Sequence, residues 1–450
     1  MKFDRSGWVD PRRKPVNQQE LQAALAGHEA YLKGVKGGVR ASFKFRDLSQ
    51  MDLCHLDLRE ADLSGARLFG TRLSGAKLTG AILYAADLRL AHLDRSELSR
   101  CDMRGACLRG AILTGASMIE TDLRDGTLLH RRRSGELEQP GFETESVATE
   151  LTLATLRQAD LTRARMSSAF AVQTDLTDSV LRGARLNNAN LTNADLTGAD
   201  LEDADFTSAN LTGARLQGAV LTKAKLARAN FANAILVGAI LDPDAVARGL
   251  FAGAVLPAPP DESGIMIADA LREHETWVMT GGKSGRRAEF ANMSMPGVDL
   301  TGARLSAAVF RCATLNDSRI ADANLVVADL SLADLRNADL AKSDLRGANL
   351  ERATLTGADL SEALLGPVQI QGGGPHQFRT NMRRARLALA RLRGADLRLA
   401  NLSGALLMQA DLTGANLRET DLSGADLRGA HLSGADLSDA DLSGALLDDT

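Results

Sequence analysis

Ala199-Asp200-Leu201-Glu202-Asp203-Ala204-Asp205-Phe206 and, farther on, Gly424-Ala425-Asp426-Leu427-Arg428-Gly429-Ala430 show one pattern: a large apolar residue at every fifth position, with a small residue two places before it. The pattern extends from Ala41 to Leu447. A period of five suits neither an α-helix, at about 3.6, nor a long flat strand, at about 2. It suits a solenoid, in which each short unit buries its apolar side only by stacking on its neighbours.

Within one pentad the large residue and the small one are two apart, so an extended segment points both to the same side and the intervening Asp, Asn or Arg to the other. The remaining two positions hold mostly Ser, Thr, Gly and Arg, residues that let a chain turn. A corner therefore follows each short extended piece. Successive corners wind the chain into coils, and coils at strand spacing satisfy each other's backbone groups.

This tandem A-(D/N)-L-x-x resembles the pentapeptide-repeat family. The resemblance implies an all-β solenoid, a right-handed quadrilateral β-helix with four pentads to a coil, here carrying short α-helical caps and insertions. It covers most of the 450 residues.

Bulk properties fit a chain that grows by length instead of by enlarging one globular core. Only 4% of residues are aromatic, so leucine must fill the interior. A formal charge of −4 excludes a uniformly basic nucleic-acid binder but not local patches. No apolar stretch is long enough to span a bilayer and no signal-peptide core opens the chain, so a cytoplasmic location is expected. Cys54, Cys101, Cys107 and Cys312 are too sparse for a disulfide framework.

Breaks in the phase divide the chain. An N-terminal arm and cap helix occupy 1–40, a first β-helix run 41–128, with its last large residue at Leu128, a surface insertion 129–150, and a second run 151–241. A helical linker and second cap occupy 242–287, a third run 288–365, a loop insertion 366–381 and a fourth run 382–450. Asp242-Pro243-Asp244 offers helix-start chemistry ahead of the apolar spacing Val246, Leu250 and Phe251. A further helix is expected through Ile267, Leu271, His274, Trp277 and Val278.

That helix has a counterpart. Leu25, His28, Tyr31, Leu32, Gly37-Gly38, Arg40 and Phe43 parallel Leu271, His274, Trp277, Val278, Gly281-Gly282, Arg287 and Phe290, so the chain reads as duplicated. Each helix should cover an open end of a stack, with Tyr31 and Leu32, or Trp277 and Val278, over the exposed leucines and His28 or His274 bonded to the first corner. The C-terminal end carries no such helix in the sequence, and pairing of two chains through it, a homodimer, is expected.

The sequence carries no catalytic constellation. Gly282-Lys283-Ser284 matches the end of a phosphate-binding loop, but Trp277 stands where the first glycine belongs. Cys54-His55 has no second pair at ligand spacing, and His92, Cys107 and His431 stand alone on outward positions, so neither metal nor cofactor is expected. The many carboxylates occupy outward positions without a partnered histidine, where they should be solvated.

The surface remains. Residues 20 apart should stack, giving Asn190, Asn210 and Asn230 as an amide ladder and Arg165, Arg185, Asp205 and Lys225 as another column. Asp195, Asp200, Glu202, Asp203 and Asp205 form a candidate acidic binding surface. Arg379, Arg383, Arg384 and Arg386 form a candidate basic patch, and Arg12-Arg13-Lys14 a basic arm. The leading expectation is a non-catalytic scaffold that presents rigid faces, on a rod of about 80 Å, to a protein partner. The resemblance implies a second reading, an acidic mimic of DNA that binds a type II topoisomerase (gyrase) and modulates quinolone sensitivity. A third is binding of nucleic acid or an anionic membrane through the basic residues.

Overall fold

In the computed structural model, residues 14–127, 130–131, 137–138, 146–260, 266–369 and 377–448 are described. Arg12, Arg13, Leu128, most of the insertion expected at 129–150 and residues 370–376 of the loop expected at 366–381 lie outside them.

The pentads form a four-sided β-helix. Parallel bridges join residues 20 apart, as in Ser42 to Asp62, Asp62 to Ile82 and Ile82 to Asp102, so four pentads make one coil. The pentad around Leu63 shows how. Asp62 N–H donates back to Ala41 O at 3.0 Å, while Leu63 and Gly65 N–H donate forward to Ile82 O and Tyr84 O at 2.7 Å. Ala66 N–H closes the corner on Leu63 O at 2.9 Å. Three bonds tie each pentad to its neighbouring coils and a fourth makes the turn.

That turn needs a positive φ at its third position, so the residue two after each inward leucine adopts it, including Phe45 (φ 53°), Leu90 (φ 57°) and Leu389 (φ 61°). Inward leucines and alanines are almost wholly buried along most of the repeat, up to Leu427.

The chain divides into two compact units, Met1–Ile235 with Leu241–Ala254, and Leu236–Ile240 with Val255–Thr450. In the first unit helix α1 (Gln18–Leu32) begins in a capping box between Asn17 and Glu20. The coil is interrupted where Gly126–Thr127 (β1) pairs antiparallel with Ser146–Val147 (β4), and His130–Arg131 (β2) with Leu137–Glu138 (β3). The repeat is therefore left at Gly126, before the expected Leu128, and resumes at Glu150, which bridges to Cys107. At the unit's far end, helix α2 (Pro243–Ala247) and the turn after it bring Ala245 and Phe251 onto the last coil, Phe251 meeting Phe231 edge-on at 5.0 Å. Val246 of the same apolar spacing is exposed. Asp242 does not cap α2 either; its carboxylate accepts the Lys223 N–H at 2.8 Å, serving the last coil in place of a further strand.

In the second unit, helix α3 (Ile267–Met279) lays Ile267, Ala270 and Leu271 against a continuous core running from Ala288 to Leu427. A third antiparallel pair, Val368–Gln369 (β5) with Gln377–Phe378 (β6), interrupts this stack, and Asn349 bridges across it to Asn381. The Gly281-Gly282-Lys283-Ser284 segment follows the C-terminus of α3, with Ser284 N–H donating to Thr280 Oγ1 at 3.0 Å. It is a helix-ending turn, not a strand-to-helix phosphate loop.

Candidate functional site

The outward lattice is built by Asp and Asn. In pentad after pentad the carboxylate or amide oxygen beside the inward leucine accepts the backbone N–H two residues on, as Asp195 does from Thr197 at 3.0 Å and Asp441 from Ser443 at 2.9 Å. Where that next residue is arginine, its guanidinium turns back and grips the same carboxylate with two bonds. Asp87 and Arg89 meet at 2.8 Å twice, Asp334 and Arg336 at 2.8 and 2.7 Å, and Asp57, Asp102, Asp122, Asp344, Asp396 and Asp426 are held alike. Under this clasp Asp87 is 0% and Asp334 2% exposed, so outward carboxylates expected to be solvated are in part buried. The Asp-x-Arg spacing that signals the clasp stands in the sequence, within single pentads.

The asparagine column does not bond amide to amide. Asn190 Oδ1 accepts from Thr192 Oγ1 at 2.6 Å, and Thr192 Oγ1 accepts from Asn210 Nδ2 at 3.1 Å. The same relay runs through Thr212 to Asn230. A threonine hydroxyl, both donor and acceptor, fills the gap between neighbouring amides. Direct amide contact does occur between Asn381 and Asn349 at 3.1 Å.

The five acidic residues do not share one face. Asp195, Asp200 and Asp205 sit one pentad apart, on three successive sides of the coil. Asp200 is buried and paired to Arg182 at 2.6 Å, Glu202 to Lys223 at 3.0 Å, and Asp195 lies 3.7 Å from Arg215. Burial would raise the Asp205 pKa, but hydrogen bonds from Thr207 hold it below the usual range, helped by Lys225 and Arg185. Asp203 occupies a positive-φ corner.

The basic residues are spread similarly. Arg379 is exposed next to β6, Arg383 lies 3.5 Å from Glu351, Arg384 takes a corner and Arg386 bridges to Thr354 and Leu406 on the next face.

At the stack ends the histidines, not the larger rings, are the covered groups. Ala41 N–H donates to His28 Nδ1 at 3.1 Å and Ala288 N–H to His274 Nδ1 at 3.0 Å, so each ring receives the first N–H of its repeat run. Tyr31 is 37% exposed; it stacks on His28 at 5.9 Å, and its hydroxyl donates to Glu60. Trp277 stacks on His274 at 5.6 Å. Each aromatic lies one helical turn beyond its histidine and stacks on the imidazole. Burial pushes both histidine pKa values down.

A groove of about 600 Å³ in the first unit was not legible in the sequence. Its floor joins the corner column Arg100, Glu120, Arg163 to the face column Asp122, Arg165, Arg185. Arg100 and Arg163 both lie 3.2 Å from Glu120, and Arg165 is 3.8 Å from Asp122. The excursion sets Asp122 and Arg165 43 positions apart, so the 20-residue spacing does not align them. Cys107, expected outward and alone, is buried, which pushes its thiol up to about 11. Among the described residues no three His, Cys, Asp or Glu side chains come together as a metal site, and no helix is long and apolar enough to cross a membrane.

The profile of pentapeptide repeats matches eight times, at 39–75, 71–110, 174–213, 204–242, 286–325, 328–366, 379–404 and 410–449. The chain belongs to the pentapeptide-repeat family. Solved structures similar to this pentapeptide-repeat protein include trypsin-treated QnrB1, a plasmid-mediated fluoroquinolone resistance protein, at 18% identity over 51% of this chain and 93% of that one, with a TM-score of 0.25. HetL, a pentapeptide repeat protein involved in heterocyst differentiation regulation in Nostoc sp. strain PCC 7120, is 21% identical over 96% of this chain and 98% of that one, with a TM-score of 0.14. Rfr23 of Cyanothece 51142 is 27% identical over 33% of this chain and 90% of that one, with a TM-score of 0.15. No curated protein matches the chain.

Proposed function

We propose that this pentapeptide-repeat protein is a non-catalytic scaffold whose β-helix faces bind a protein partner. The supporting observation is the fixed outward lattice: Asp and Asn side chains are bonded to backbone N–H groups two residues on, and clasping arginines hold many of them. Such side chains lose little freedom on association, which lowers the ordering cost of binding. Affinity capture with the intact chain tests this: a partner retained near 0.15 M salt and lost on charge reversal within one column, such as Arg215→Glu, supports it. Failure of every face variant to alter what is retained would refute it. The acidic residues proposed for mimicry of DNA are divided over three sides and paired to Arg182, Lys223 and Arg215, so they supply no continuous acidic face for that role. A second copy of the chain is a fitting partner for the coil at 432–447, where inward Leu442 and Leu447 are exposed. Light scattering checks this, with a monomer at every concentration as the contrary result.

A further inference from the structure

The groove around Arg100, Arg163, Arg165 and Arg185 stands apart from the scaffold reading. Arg165 and Arg185 are bridge partners on adjacent coils, so two like charges lie opposite one another at strand spacing of about 4.8 Å, an arrangement that destabilises a sheet. Arg165 has only the distant carboxylate of Asp122, already gripped by Arg124, and Arg185, although its charge acts on its other bridge partner Asp205, makes no ion pair within 4 Å among the described residues. Five arginines face three carboxylates around the groove.

The fold does not require this. The second unit repeats the surrounding construction: Thr149 and Thr380 each accept an N–H at 3.0 Å, from Gly105 and Gly347, beside an Asp–Arg clasp at 102–104 and at 344–346. Matched through those anchors, the positions of Arg163, Arg165 and Arg185 hold Gly394, Asp396 and Asn416. Asp396 bridges Leu364 and Asn416 as Arg165 bridges Asp122 and Arg185. The same lattice therefore accommodates neutral or acidic residues, and the excess positive charge belongs to the first unit alone.

We infer that this groove binds a small oligophosphate. Guanidinium forks match phosphate oxygens in geometry and remain charged at all working pH values. The groove volume lies in the range of small-molecule sites, roughly 300–1,000 Å³. A multiply charged anion also removes the repulsion between Arg165 and Arg185.

Calorimetric titration of the intact chain with inorganic tripolyphosphate tests this. One saturable site is expected, weaker at higher salt, with affinity at least about tenfold lower in the Arg165→Asp/Arg185→Asn variant. Those substitutions install residues that the second unit already carries at the matched positions, and unchanged far-UV dichroism verifies folding. Arg391→Gln, in the second unit, should leave binding unaltered. Absence of saturable binding, or equal affinity in the folded double variant, overturns the proposal. So does saturable binding of duplex DNA or phosphatidylserine vesicles, sensitive to the double variant, when tripolyphosphate does not bind.

Discussion

The Asp-x-Arg clasp decides how charge is stored on this surface. A carboxylate as covered as Asp334 would be costly alone, and Arg336 compensates it with two bonds while remaining one-third exposed itself. Arg336→Ala should therefore cost about 1–3 kcal/mol, the penalty of an unpaired, partly shielded carboxylate. Adding Asp334→Asn should recover part of that loss, because an amide oxygen still accepts the Arg336-position N–H without a charge. Urea unfolding of the two variants checks this, and a double variant less stable than the single one contradicts it. The clasp was legible in one dimension, since both residues lie in one pentad. The pairings of Arg182 with Asp200 and Arg391 with Asp359 were not, because they join different coils.

Between coils, the elements that interrupt the repeat are fastened at glycine corners. Gly347 has φ 69°, and a Cβ there would lie 2.7 Å from Val368 Cγ1 and 3.1 Å from Phe378 Cβ, within the base of the β5–β6 pair. Gly347→Ala combines backbone strain with overpacking and should destabilise by about 2–4 kcal/mol. Hydrogen exchange should show the loss first at residues 368 and 378; uniform loss across the second unit would argue against it. The cap helices give a pH dependence. His28 and His274 accept an N–H at Nδ1 while burial lowers their pKa values, so the unfolded chain takes up protons that the folded one refuses. Their stabilisation is complete above the unfolded pKa of about 6.5 and is lost as pH falls through the lower folded value, at up to about 1.4 kcal/mol per pH unit for each ring. His274→Asn, which keeps an acceptor for Ala288, should lessen the decline between pH 7 and 5, and an unchanged decline would show that the ring does not titrate on unfolding. A separate acid step follows. Hydrogen bonds from Arg319 and Thr301 hold Asp299 at about 2, and those from Thr413, with Arg393, hold Asp411 at about 2, so their contributions persist above pH 4 and disappear as pH falls toward 2.

For the molecule as a whole, each coil bonds only to the coils before and after it, so stability is summed locally along each stack. Leu330→Ala, at a fully buried position in the second unit, should cost about 2–5 kcal/mol. Amide protection should fall most on the adjacent coils, around Phe310 and Leu350, which Leu330 meets through successive 20-residue steps. Equal loss at Phe290 and Leu422 would indicate a single cooperative block. The inward face and the five-residue period were readable from residue order, because a pentad's burial and its corner are settled within about five neighbouring residues. Which outward side chains meet was settled only by winding. A coil's neighbour depends on how many residues each antiparallel excursion adds between bridge partners, and the resulting separation, 43 residues at one break and 32 at the other in place of 20, brings Arg163 and Arg165 beside Glu120 and Asp122, and Arg391 onto Asp359.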